Sequence, residues 1–175
     1  MAGLVPAIHV FHSEARIKTW MPGTKPGMTE ENEADMSYWL VKSEPDAWSW
    51  DAQVKSGPKG TPWTGVRNHT AKLNLMKMKK GDRAFFYHSN VGKEIVGVVE
   101  IAREHYPDPT DATKKFVAVD LAADAPLPKP VSLEAIKAEP RLAEMALLKQ
   151  SRLSVQPVSA PEWKLICGMG GLKGA

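Results

Sequence analysis

From Tyr38 onward the chain is a series of short apolar runs cut by proline, glycine and charge. Tyr38-Trp39-Leu40-Val41 is apolar, Lys42-Ser43 is polar, and the run predicts a buried strand. Pro45 ends it, because proline cannot donate to a central sheet ladder. Ser49-Trp50-Asp51 opens a short helix or turn, and Gly57-Pro58-Lys59-Gly60 is a loop. Asn68 to Met78 sets Ala71, Leu75 and Met78 on one helical face. Lys79-Lys80-Gly81-Asp82 then stops that helix. Arg83 to His88 and Glu94 to Glu104 read as strands joined by the loop Ser89-Asn90-Val91-Gly92-Lys93.

The second half continues the pattern. Pro107 to Thr113 is rich in turn formers, and Phe116 to Leu121 alternates like a strand. Pro126, Pro128 and Pro130 predict a linker along one edge. Ser132 is placed to cap a helix through Lys137; Pro140 breaks it, and Leu142 to Leu148 predicts another turn or two. Ser154 to Val158 reads as the last strand. Ser159-Ala160-Pro161-Glu162 has a capping-box pattern for a closing helix to Ile166, and Gly168 to Gly174 is expected to fray. Strands and helices do not alternate as β-α units, so the fold class is α+β around a small, curved or barrel-like sheet. Trp39 and Trp163 belong to the core on this reading, while Trp48 stays open between core and ligand platform.

Residues 1–35 lack either period. Pro6, Pro22, Gly23, Pro26 and Gly27 break them, and Glu30, Glu31, Glu33 and Asp35 form an acidic run. Residues 1–11 and 21–30 resemble translated intergenic repeats of bacterial genomes. The expectation is a disordered or mis-called extension over 1–35 and one domain over 36–175.

Composition narrows the function classes. The chain has 175 residues, enough for one cored domain, and a formal charge of +3. Residues 1–35 hold three basic and five acidic side chains, leaving 20 and 15 beyond them, a +5 balance that mildly favours polyanions. The one cysteine, Cys167, excludes an internal disulfide and a cysteine-rich zinc site. No apolar run reaches membrane-spanning length, and no secretory h-region is visible. A cytoplasmic monomer without cofactor or metal is expected.

The richest chemistry lies in Trp63-Thr64-Gly65-Val66-Arg67-Asn68. An aromatic face, a guanidinium and an amide suit a planar heterocycle, and Lys72, Lys77, Lys79 and Lys80 follow at once. A buried core tryptophan followed by a surface helix accounts for the same residues equally well. His69, His88 and His105 have no metal-ligand spacing, and no serine sits in a nucleophile elbow. Lys42-Ser43-Glu44-Pro45 closes a strand with a cation, a hydroxyl and a carboxylate. Phe86-Tyr87-His88-Ser89-Asn90 is an aromatic strand that turns polar. Arg152, Ser154 and Gln156 share one strand face if the strand extends that far.

Taken together, Trp39 to Pro45, Trp63 to Asn68, Phe86 to Asn90, Glu104 to Asp108 and Arg152 to Val158 resemble the EVE domain family, over about residues 37–166. The resemblance implies a PUA-like β-barrel of about five to six strands with peripheral helices. It also implies a non-enzymatic module that reads a modified nucleic-acid base, such as a modified cytosine in DNA. On that likeness Trp63 stacks on the base and Lys42, Ser43 and Glu44 face its edge. Asn68, His88 and Ser89 form the rim, and Arg67, Arg152 and Lys72 meet phosphate or base. Two departures stand out: His69-Thr70-Ala71-Lys72-Leu73 replaces the usual Tyr-Gln-Ala-Arg-Asn, and Phe116 stands for a tryptophan. They bear on which base is preferred. Two other functions stay open: an enzyme acting on a nucleoside or small molecule through Glu44 or His88, and a protein-binding adaptor with a vestigial pocket.

Overall fold

The computed structural model describes residues 36–173; the expectation for residues 1–35 lies outside them. In chain order the elements are β1 (Tyr38–Ser43), α1 (Trp50–Lys55), β2 (Thr61–Trp63), α2 (His69–Lys77), β3 (Arg83–His88), β4 (Glu94–Pro107), β5 (Val117–Ser132), α3 (Leu133–Ala138), a 3-10 turn (Pro140–Leu142), α4 (Ala146–Lys149), β6 (Val155–Val158) and α5 (Ala160–Met169). The six strands form one mixed sheet in the order β2-β5-β4-β3-β1-β6. β1 runs parallel to β3, setting Ser43 beside His88, and antiparallel to β6. The α+β expectation therefore holds.

The sheet is open in its ladder yet curls on itself. Trp63 of β2 and Val155 of β6, from opposite edges, share one core with Val41, Phe86, Val99 and Ile101. α2 bridges the gap: it packs on β5 and β6, and its buried Asn74 donates Nδ2–H to the Val155 carbonyl at 2.8 Å. The edge strand β6 thus gains a partner on its open side, which limits edge-to-edge association. A second core fills the other face, where Trp163 stacks on Phe85 at 4.0 Å and on Tyr38 at 4.5 Å. Trp39 is buried as expected and donates Nε1–H to Asp82 at 3.0 Å.

Four expectations need correction. First, β2 lacks a sequence signature: it has three residues, one of them Pro62, and depends on the pairing of Trp63 with Val119. Second, β4 continues past Glu104 to Pro107. Third, the proline-rich stretch is not a linker but part of the 16-residue β5. Pro126 sits opposite Gly97 and Val131 opposite Ile95, so the residues between bulge out of the ladder. A bulge removes the need for ladder donors, which is why prolines fit there. Fourth, the closing helix runs past Ile166 to Met169, and its Gly170 cap accepts the Lys129 N–H at 3.0 Å. A Cβ at Gly170 would lie 2.5 Å from the Leu127 side chain, which would have to shift to admit one.

Candidate functional site

The curl of the sheet brings the end of β1, all of β2 and the residue before β6 to one mouth. A cavity of about 510 Å³ opens there, lined by residues that include Lys42, Ser43, Trp48, Trp63, Arg67 and Ser154, with Glu44 at the same place. Its walls are built by three local devices.

The first sets Trp48. After β1, the Ser43 hydroxyl donates to the Trp48 carbonyl at 2.8 Å and closes the turn through Pro45. The Trp48 indole N–H donates to Gln53 Oε1 at 2.9 Å, and Gln53 donates Nε2–H to the Leu121 carbonyl at 2.6 Å. Gln53 is fully buried. A relay from β5 through α1 therefore fixes the indole plane.

The second sets Trp63. The residue is 8% exposed, and its ring meets Phe86 edge-on at 5.7 Å and 81°. Trp63 is both core and cavity wall, so the two readings of this residue are not exclusive. Gly60, φ +75°, precedes β2, and a Cβ there would lie 2.8 Å from the Leu121 carbonyl.

The third is a residue whose role the sequence did not reveal. Asp108, with a side chain 0% exposed, accepts the Gly65 N–H at 2.9 Å and Arg67 Nη1–H at 2.7 Å on one oxygen. Its other oxygen accepts the Thr110 N–H at 2.7 Å and the Thr110 hydroxyl at 2.6 Å. Burial alone would raise its pKa, but these bonds outweigh that and bring it down to about 2. Asp108 thus staples the Trp63–Asn68 segment. Arg67 also donates to Thr110 Oγ1 at 3.0 Å and lies over the Phe116 ring at 5.5 Å. Its guanidinium is held in the wall.

The remaining site expectations separate. Lys42 donates Nζ–H to the Ser151 carbonyl at 2.8 Å, and burial lowers its pKa. Glu44 is exposed at the rim. Asn68 does not line this cavity: its side chain caps α2 by accepting the Ala71 N–H at 3.0 Å. Asn68 and Arg152 instead line an adjacent hollow of about 380 Å³ with Thr70, Lys149 and Ser151. His88 and Ser89 line neither space. His88 Nε2 accepts the Trp50 N–H at 3.2 Å, and burial lowers its pKa despite Glu94 and Asp51. Its lone pair is therefore occupied by the fold. Ser89 donates its N–H to the Ser43 carbonyl at 2.8 Å. Lys72 is half-buried on α2 and lines neither space. Trp48, left open between core and ligand platform, and Ser154, placed on one strand face with Arg152 and Gln156, both line the cavity, brought there by the tertiary curl.

Two indoles beside a cation, a hydroxyl and a carboxylate suit a flat ring with donors and acceptors on its edge. Among the described residues, no group of three His, Cys, Asp or Glu is placed to hold a metal. No helix of the described residues is long and apolar enough to cross a membrane.

The family model described as EVE domain matches residues 37–169. Thymocyte nuclear protein 1 of Mus musculus is 34% identical over 166 residues, covering 76% of this chain and 73% of that protein. An NMR structure of a Rhodopseudomonas palustris protein aligns with a TM-score of 0.76 at 68% identity, covering 80% of this chain and 97% of that one. A crystal structure of human THYN1 in complex with 5-methylcytosine-containing DNA aligns with a TM-score of 0.70 at 30% identity, covering 77% and 97%.

Proposed function

The chain belongs to the EVE domain family, and on that premise we propose that its cavity holds a modified base, a modified cytosine in DNA, and reads it without chemistry. The observation that carries this reading is the pair of tryptophans, Trp48 and Trp63, on one cavity beside Lys42, Ser43 and Glu44. A base inside a duplex must first leave the stack, at a cost of a few kcal/mol. Stacking on an aromatic returns roughly 1–3 kcal/mol per base, so two indoles offset much of that cost. The rigid hydrogen-bond relays behind them reduce the ordering penalty on binding.

A methyl group alone contributes only about 0.8 kcal/mol when buried. Discrimination among bases therefore falls to the polar edge. Glu44 accepts from the exocyclic amine that cytosine carries and thymine lacks, while Lys42 and Ser43 serve the ring's acceptors and donors. The bound state of THYN1 supports a cytosine ligand by family likeness. The engagement of the His88 lone pair by Trp50 supports a reader over an acid–base enzyme.

The test is fluorescence-detected binding of the full chain to matched short DNAs carrying cytosine, 5-methylcytosine or 5-hydroxymethylcytosine. The expected result is tighter binding to one modified strand, lost in Trp48→Ala. Equal binding to all three strands, or binding indifferent to Trp48, would contradict the proposal.

A further inference from the structure

His88 lies outside the cavity, yet its hydrogen bond leads to the cavity wall. β1 and β3 run parallel and end side by side, Ser43 against His88. α1 starts at the same end of the sheet. Its first residue, Trp50, has an N–H without a partner inside the helix, and His88 Nε2 accepts it at 3.2 Å. The Trp50 indole lies on Gly97 of β4, where a Cβ would come within 2.3 Å of the ring, and meets Phe86 of β3 edge-on at 5.5 Å. Phe86 in turn meets the His88 ring at 5.7 Å. Imidazole and indole together seat the start of α1 on the sheet.

α1 is only six residues long, so its seating at Trp50 is felt at Gln53. Gln53 holds the Trp48 indole N–H at 2.9 Å and is tied to the Leu121 carbonyl at 2.6 Å. The chain of contacts therefore runs from His88 to Trp50, along α1 to Gln53, and from there to an indole of the cavity. Its first link needs a lone pair on Nε2, which only the neutral ring offers. A protonated ring would turn an N–H toward the N–H of Trp50, donor against donor. Burial lowers the His88 pKa below its ordinary 6.5, against Glu94 of β4 and Asp51 of α1, which favour the charged form. On β1 the neighbour is the uncharged Ser43, and the Lys42 ammonium is taken up by the Ser151 carbonyl.

We propose that His88 is a positioning residue of the base cavity: its neutral ring seats α1, α1 sets the Trp48 indole through Gln53, and protonation of the ring releases both. The proposal rests on the base-reading function above and adds a proton-sensitive control to it. Base affinity is full at neutral pH and falls as pH drops through the His88 titration.

The test follows the full chain, free and with a single strand carrying 5-methylcytosine, between about pH 8 and about pH 5, for wild type, His88→Gln and His88→Ala. The glutamine places an amide oxygen near the position of Nε2, an acceptor at every pH. In wild type, affinity should fall by roughly tenfold toward acid, and the Trp48 indole N–H resonance of the free protein should move with the His88 titration. By reciprocity the bound strand should shift that titration to lower pH by the logarithm of the same factor. His88→Gln should bind as wild type does at neutral pH and lose the pH dependence, whereas His88→Ala should bind weakly throughout. A Trp48 resonance that ignores the His88 titration, or a pH dependence that survives in His88→Gln, overturns the proposal while leaving the base reading intact. A Trp48 resonance coupled to His88, with no binding of the strand at any pH, sustains the link from His88 to the cavity wall and overturns the base reading.

Discussion

At the scale of single residues, Trp48 and Trp63 line the same cavity but carry different burdens. Trp63 is packed on Phe86 within the core, so Trp63→Ala should cost about 3–5 kcal/mol of stability, read as a lower urea midpoint. Trp48 is only half-buried. Its truncation leaves the buried Gln53 Oε1 without its donor and should cost about 1–3 kcal/mol, less than the loss of Trp63, while removing the stacking contribution to binding. Asp108 makes a third kind of case. Its carboxyl titrates well below the usual range because four donors meet it, and so its stabilisation is complete above about pH 4 and is lost as pH falls toward 2. Asp108→Asn should lower stability by about 1–3 kcal/mol at neutral pH and flatten that part of the acid unfolding profile. A variant that unfolds in acid along the same curve as wild type would contradict the staple. The sequence marked Asp108 as part of a motif but could not assign its role, since Gly65 and Arg67 lie more than 40 positions away along the chain. Trp63, Arg67 and Asn68 were legible because they are neighbours; their distinct tasks in wall, staple and helix cap depend on the fold.

At the scale of elements, β2 positions the site while having almost no hydrogen-bond ladder of its own. Its seating depends on Gly60, whose missing Cβ lets the chain pass the Leu121 carbonyl and whose φ of +75° suits glycine. Gly60→Ala should therefore weaken ligand binding along with stability, the binding loss measured under conditions where circular dichroism shows the variant still folded. Binding at wild-type strength in that folded variant would mean that β2 does not set the cavity. At the start of α2, Asn68→Ala removes a side-chain cap and should cost about 1 kcal/mol, measured by thermal unfolding. The strands β1, β3 and β6 were readable because each is a short, apolar, β-forming run. β2 and the far half of β5 were not, because Pro62 and the three prolines from 126 to 130 are local signals for loops. Pairing with Val119 and a bulge opposite Gly97 override those signals.

For the whole molecule, the decisive feature is that an open six-stranded sheet curls far enough for its two edges to share a core. α2 seals the gap on one side, and the cavity remains at the mouth. The proposed function follows from that closure: a cavity at the mouth with two indoles and a polar edge. The α+β class could be read from the chain because strands come in runs without β-α alternation. The cavity could not, since its walls come from the end of β1, from β2 and from the residue before β6. The most direct test of the central claim is to follow the tryptophan indole N–H resonances of the full chain by NMR as a 5-methylcytosine strand is added, with assignments from single Trp→Phe variants. The account predicts that the Trp48 and Trp63 signals move, those of buried Trp39 and Trp163 stay, and an unmodified strand moves them less. Shifts confined to other residues, or identical for both strands, would contradict it.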